Sequence, residues 1–356
     1  MAGIQNKKPT YPISDRLRSY LVHHLRETNV AITYQDLFRF NSSIALFDRN
    51  GKDTLWETLI YDPYDRDFIF ENLIKVYAEL KVAGDISFIE HLYIDRVDLC
   101  LYGNTKPIRV RVVNKLNDLF DYFYVKTADA SRVYGMELEH LLSPNKINFL
   151  TKENTIIEEH IPGIPGDDFI KKFIPRDDYN PLRVAKEFVK FNERCLVQLL
   201  GDMRNDNFVV EVIPDFDETY FRLRAIDFDQ QSYEGNYLLY LPQFFKENNP
   251  IISLGFKTMS PKLELQYQKE ERTRILVRYN SVEEQIEELL SAMASDYISP
   301  VENINQLKKD LSILYSDSSF VSCTSMGELL MKSLEMLRKY PIRPRQKARF
   351  REVEYK

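Results

Sequence analysis

Three side chains in the middle of the chain carry oxygens at a spacing suited to chemistry on a hard cation. Asp202 stands five residues before Asn207 in the segment Leu200-Gly201-Asp202-Met203-Arg204-Asn205-Asp206-Asn207, and Asp227 closes the apolar run Ala225-Ile226 twenty residues later. A carboxylate and an amide carbonyl are the oxygen donors Mg²⁺ prefers, and one or two such protein groups leave room for water and phosphate oxygens. Asp202 adds a second carboxylate, able to accept a proton from a hydroxyl. Arg204, two residues on, offers a permanent positive charge.

The flanking residues position these groups. Phe208–Val212 is apolar and β-branched and predicts a short strand; Ile213–Glu218, with Pro214 and two aspartates, predicts a turn; Tyr220–Ile226 predicts the returning strand. A hairpin would set Asn207, at the start of one strand, beside Asp227, at the end of the next. Asp, Asn and Gly also suit any ordinary turn, so the hairpin is what lifts this spacing above a generic loop. Before it, Val184, Phe188, Phe191, Cys195, Leu196 and Leu199 recur every three or four residues, predicting a buried helix over 182–200 that leads into the loop.

A D-x-x-x-x-N segment followed by a strand-end aspartate resembles the catalytic and metal-binding segments of the protein-kinase-like superfamily. Its atypical branches, the aminoglycoside and choline kinases and the HipA-like kinases, are the most similar. Gly201-Asp202 is similar to the H-G-D of the small-molecule kinases, with Leu200 in place of the histidine. Asn207-Phe208 and Asp227-Phe228-Asp229 are more similar to the HipA type. The resemblance implies an α+β bilobal fold, with a small lobe of antiparallel sheet and one helix and a large, mostly helical lobe. It implies ATP and Mg²⁺ as cofactors, Asp202 as the base, Arg204 as a charge on the transferred phosphate, and Asn207 and Asp227 as metal ligands. The acceptor would be a hydroxyl of a small molecule or of a protein Ser/Thr.

Such a fold also requires a lysine on a strand, then a glutamate on a helix, then strands and a hinge. Asp121–Lys126 is strand-like and ends in Lys126, the expected phosphate-binding lysine; Gly135–Leu142 is helical, with Glu137 as the expected ion-pair partner and Glu139 as the alternative. Ile147–Leu150 and Thr155–Ile161 read as strands, ending at Pro162-Gly163-Ile164-Pro165-Gly166. The resemblance makes Glu159, His160 and Ile161 hinge positions facing adenine. His160 has no Cys or His nearby in sequence and is not expected to bind metal. The G-x-G-x-x-G loop is absent. Its counterpart is Tyr102–Pro107, between the strand-like 97–101 and 108–113, where Gly103 supplies one flexible backbone position and Lys106 a charge.

The chain of 356 residues is long enough for two cores, and its formal net charge of −6 argues against bulk nucleic-acid binding. No apolar run is long enough to span a membrane. The N-terminus lacks a signal-peptide core, and three scattered cysteines point to reduced thiols, so a cytoplasmic protein is expected. Four parts are expected: an accessory region over 1–95, the small lobe over 96–161, the large lobe over 162–340 and a basic tail over 341–356. In the accessory region, helices are expected over 15–27 and 67–80, around a hairpin at Asn50-Gly51. The tail, with Arg343, Arg345, Lys347, Arg349 and Arg351, suits a protein or anionic partner. Two alternatives stay open: a catalytically silent kinase-fold scaffold, motivated by the missing glycine loop and Leu200, and AMP transfer on the same fold.

Overall fold

The computed structural model describes residues 8–82, 86–102, 105–216 and 219–339. Gly103 and the tail 341–356 lie outside them. In chain order the elements are α1 (Asp15–His23), β1 (Ser42–Phe47), β2 (Asp53–Ile60), α2 (Pro63–Val82), β3 (Leu92–Cys100), β4 (Ile108–Asn114), β5 (Phe120–Thr127) and α3 (Ala130–Leu142). Then come β6 (Phe149–Lys152), β7 (Thr155–Glu159), β8 (Ile164–Pro165), the short α4 (Gly166–Asp168), α5 (Pro181–Gln198), β9 (Phe208–Pro214) and β10 (Thr219–Ala225). Five helices follow: α6 (Asn249–Thr258), α7 (Pro261–Ser281), α8 (Glu283–Ser295), α9 (Val301–Tyr315) and α10 (Met326–Lys339). The fold is α+β.

The chain divides into two compact units. Among the described residues, one comprises those up to His140, Pro144–Pro162 and Glu287–Ile298; the other comprises Leu141–Ser143, Gly163–Ile286 and those from Ser299 onward.

The first unit is built on a seven-stranded antiparallel sheet in the order β1-β2-β3-β4-β5-β7-β6. Alternation gives each strand two faces. Leu59, Val97, Leu99, Ile108, Val110, Phe123, Val125 and Ile157 belong to the core together with Ile69, Leu73, Val76 and Leu80 of α2. Each such side chain taken from water contributes about 1.5–3 kcal/mol. The alternate positions of β5, including Tyr124 and Lys126, belong to the other face. The hairpin expected in an accessory region adds β1 and β2 to this sheet, with Trp56, Glu57 and Thr58 registered against Cys100, Leu99 and Asp98. A lone hairpin leaves an unpaired edge, and β3 satisfies it. Helix α1 ends earlier than the expected 27, because Leu25 turns left-handed (φ 56°) and the Arg26 N–H donates back to the Leu21 carbonyl at 2.7 Å.

The second unit holds a three-stranded antiparallel sheet, β10-β9-β8, and helices around α5. Asn180 caps α5 by accepting the Leu182 N–H, Pro181 begins it, and almost every residue from Val184 to Gln198 is buried. Even its charges are paired inside: Arg194 meets Glu271 of α7 at 2.8 Å and donates to the Leu223 carbonyl of β10 at 3.0 Å.

Candidate active site

The loop carrying Asp202 is fixed from several sides. Helix α5 ends at Leu199, a left-handed cap (φ 54°) that would suit glycine better, and Asp202 is itself left-handed (φ 56°). Two non-glycine residues with positive φ within four positions mark a loop whose surroundings impose its shape. Those surroundings are explicit. Ser232 N–H donates to the Leu199 carbonyl (2.8 Å) and Asp202 N–H to the Leu239 carbonyl (3.2 Å). The Gln231 side chain donates to the Gln198 carbonyl (2.6 Å), and buried Asn248 donates to the Met203 carbonyl (2.9 Å). Leu200 is buried, and its backbone bridges to Gln231, so it packs beneath the loop. Gly166 approaches the same loop closely: a Cβ there would lie 2.4 Å from the Asn205 carbonyl and 2.6 Å from the Phe208 ring.

The hairpin brings Asn207 and Asp227 to the same end of one strand pair. Ala225 pairs with Phe208, and the Ile226 N–H donates to the Asn207 carbonyl at 3.0 Å. The strands are β9 and β10, and β9 runs two residues further than expected, to Pro214. The Asn207 amide nitrogen donates to the Asp202 carbonyl at 2.6 Å, which commits the NH₂ and leaves its Oδ1 as the donor for a hard cation. Asp227 Oδ1 accepts the Asp229 N–H at 3.0 Å, which orients its carboxylate. An amide oxygen and a carboxylate are donor types that suit Mg²⁺.

Asp202 has a carboxyl pKa above its ordinary value. Burial is the main cause; Arg204 opposes the shift and the charge of Asp227 adds to it. Glu234 is raised too, by burial and then by the charge of Asp202. This end of the hairpin is therefore a region of gathered negative charge, which a cation would relieve. Arg204 lies against Asp202, Nε to Oδ1 at 3.0 Å.

In the first unit, Lys126 sits on β5 as expected, and its partner differs. Lys126 Nζ donates to Glu158 of β7 at 2.9 Å, and Arg132, in the first turn of α3, donates to the same carboxylate, from NH2 at 2.8 Å and from Nε. The expected Lys126–Glu137 pair is not formed. Glu137 accepts from the Tyr20 hydroxyl (2.8 Å) and from Arg26 (2.9 Å), because the phase of α3 turns it toward α1 and the segment after it. Glu139 is buried and accepts from Asn145. Register explains the actual pair: Tyr124 opposes Glu158 and Lys126 opposes Ile156, so Lys126 and Glu158 are diagonal neighbours on one face. Burial alone would raise the Glu158 carboxyl, but Arg132 and Lys126 hold it down at about 2. Glu158, directly after the apolar Ile156-Ile157 on the same strand, is the sign in sequence of a buried charge partner.

Of the expected hinge positions, two have amides in use. Glu159 N–H donates to the Asn148 carbonyl (3.1 Å) and His160 N–H to the Tyr122 carbonyl (3.2 Å); Ile161 is buried. The His160 ring lies near the Tyr124 hydroxyl, Nδ1 to oxygen at 3.3 Å, and burial lowers its pKa. Lys106 is exposed and left-handed (φ 44°), and its carbonyl accepts from the Tyr34 hydroxyl at 2.8 Å. Among the described residues, no helix is long and apolar enough to cross a membrane. The chain matches no protein-family model and no curated protein.

Proposed function

We propose that this chain is an ATP- and Mg²⁺-dependent phosphotransferase of kinase-like, bilobal architecture, moving the γ-phosphate to a hydroxyl of a small molecule or of a protein Ser/Thr. The observation that carries the reading is the hairpin end, where Asn207 and Asp227 converge beside an Asp202 held in a left-handed loop. The order of elements supports it: a strand bearing Lys126, a helix, two further strands, then the 159–161 segment.

In this reading, bound Mg²⁺ neutralises phosphate charge and orients the transferred group. Asn207 and Asp227 would hold the ion through oxygens. Asp202, its pKa raised by burial, accepts the acceptor hydroxyl's proton. Arg204 steadies the base and presents charge toward phosphate. Within the first unit, Lys126 is the candidate phosphate contact and 159–161 the candidate hinge segment.

A second reading, a silent nucleotide-binding or scaffold protein, is favoured by one observation: Glu158 already neutralises Lys126 within its own unit. Thermal unfolding with and without Mg²⁺-ATP, in wild type and Asp227→Asn, is the first test. Ligand at 100 times its dissociation constant stabilises by about 2.7 kcal/mol. The reading expects a Mg²⁺-dependent rise that Asp227→Asn loses; no rise at millimolar ATP refutes it. With binding in hand, Asp202→Asn should cut phosphoryl transfer about 10²–10⁴-fold while ATP still binds. Undiminished transfer would show that Asp202 is not the base, and ATP binding without any transfer would select the silent reading.

A further inference from the structure

The geometry points to a second metal site, unrelated to nucleotide chemistry, in which His23, His24 and Glu288 take a zinc-class divalent cation. These three residues place one ring nitrogen each and a carboxylate oxygen within 4.8 Å of one another. His23 Nδ1 lies 3.1 Å from Glu288 Oε2, and His24 Nε2 lies 2.8 Å from the same oxygen. Tetrahedral zinc with bonds of about 2.0–2.1 Å separates its ligand atoms by roughly 3.3 Å, so the side chains need only small adjustments to admit the ion.

Adjacent residues on a helix point about 100° apart and do not normally share a ligand. Here the helix ends between them. His23 is the last residue of α1, and His24 has left the helical region (φ −99°, ψ 21°) just before left-handed Leu25. The turn swings the second ring beside the first, with centroids 4.5 Å apart, and Tyr20 packs against His24 at 4.4 Å. Two imidazoles and one carboxylate, with a fourth position open to water, form a donor set typical of zinc and poorly suited to Mg²⁺.

The third ligand comes from a sequence-distant segment of the same unit. Glu288 lies on α8, 264 residues after His24. The segment 287–298 is otherwise tied to this unit by Asp296, which accepts from Ser14 at 2.9 Å and from Tyr134 at 2.8 Å, and by the Tyr297 ring against Tyr11. A metal bound to Glu288 would clasp this segment to the end of α1 and stabilise the unit.

The test uses the full chain, free of any affinity tag and stripped of metal by chelator. Zinc titration calorimetry should show one ion per chain, and saturating zinc should raise the unfolding midpoint by about 5 °C. Cobalt in place of zinc should give the visible band of a tetrahedral site. His23→Asn, at a largely exposed side chain, and Glu288→Gln should each weaken zinc binding at least about tenfold, and excess magnesium should not displace the zinc. Absence of stoichiometric binding, or binding undiminished in His23→Asn, overturns the proposal. Loss of zinc binding in His23→Asn, with its metal-free midpoint unchanged, assigns the effect to ligation.

Discussion

Replacing Glu158 by glutamine removes the carboxylate that Lys126 and Arg132 share, and its cost can be worked out in two ways. The three side chains are nearly buried, at 7% exposure for Glu158, 12% for Lys126 and 4% for Arg132. Deleting one member of a buried ionic group typically costs about 3–5 kcal/mol. Independently, a carboxyl held at about 2, against about 4.3 in an unfolded chain, contributes roughly 3 kcal/mol at neutral pH. The sign follows from linkage. The folded pKa lies below the unfolded one, so the contribution is complete above the unfolded value and is lost as pH falls through the folded value. Denaturant unfolding at pH 7 should show Glu158→Gln about 3 kcal/mol less stable, or about 6–12 °C lower in midpoint for a unit of this size. The gap should hold from pH 8 to about 5 and then narrow toward pH 2. A variant within about 0.5 kcal/mol of wild type at pH 7, or a gap that widens on acidification, would refute the reasoning.

Three further outcomes are expected. Gly166→Ala should destabilise the second unit by about 1–3 kcal/mol, because its Cβ would meet backbone at Asn205 and the Phe208 ring; a variant that unfolds like wild type contradicts the close approach. Leu25→Gly should have the opposite sign: this exposed side chain (84%) stands at a left-handed position after α1, so glycine should stabilise by up to about 1 kcal/mol, measured by denaturant midpoint. His140 should stay neutral well below the ordinary histidine range. Burial, reinforced by the Arg26 charge, lowers it to about 4, so the stability tied to its neutral form is present above about 6.5 and lost as pH falls toward 4. Its NMR titration midpoint, read against a His140→Gln spectrum for assignment, checks this; a midpoint near 6.5 would show the ring to be open to water.

What the sequence determined by itself is local. The three-to-four-residue apolar spacing before Leu199 marked the buried helix, and the strand–turn–strand pattern after Phe208 brought Asn207 and Asp227 together in expectation as they are in the fold. Both rest on short-range physics: helix and hairpin hydrogen bonds join residues near in sequence, and their periods are visible in composition. Tertiary structure alone decided who meets whom at a distance. Order along the chain pairs Lys126 with Glu137, but strand register gives it Glu158, and helix phase gives Glu137 to Tyr20 and Arg26. Nothing local announces that Asn248 anchors the loop at Met203, or that Gly166 lies beneath it, because those contacts depend on how loops close over 45 and 39 residues. The convergence of His23 and His24 on Glu288 is the extreme case. Side-chain type is written in the sequence, but the distance between two side chains far apart in the chain is set only when packing selects one register and one helix phase from many.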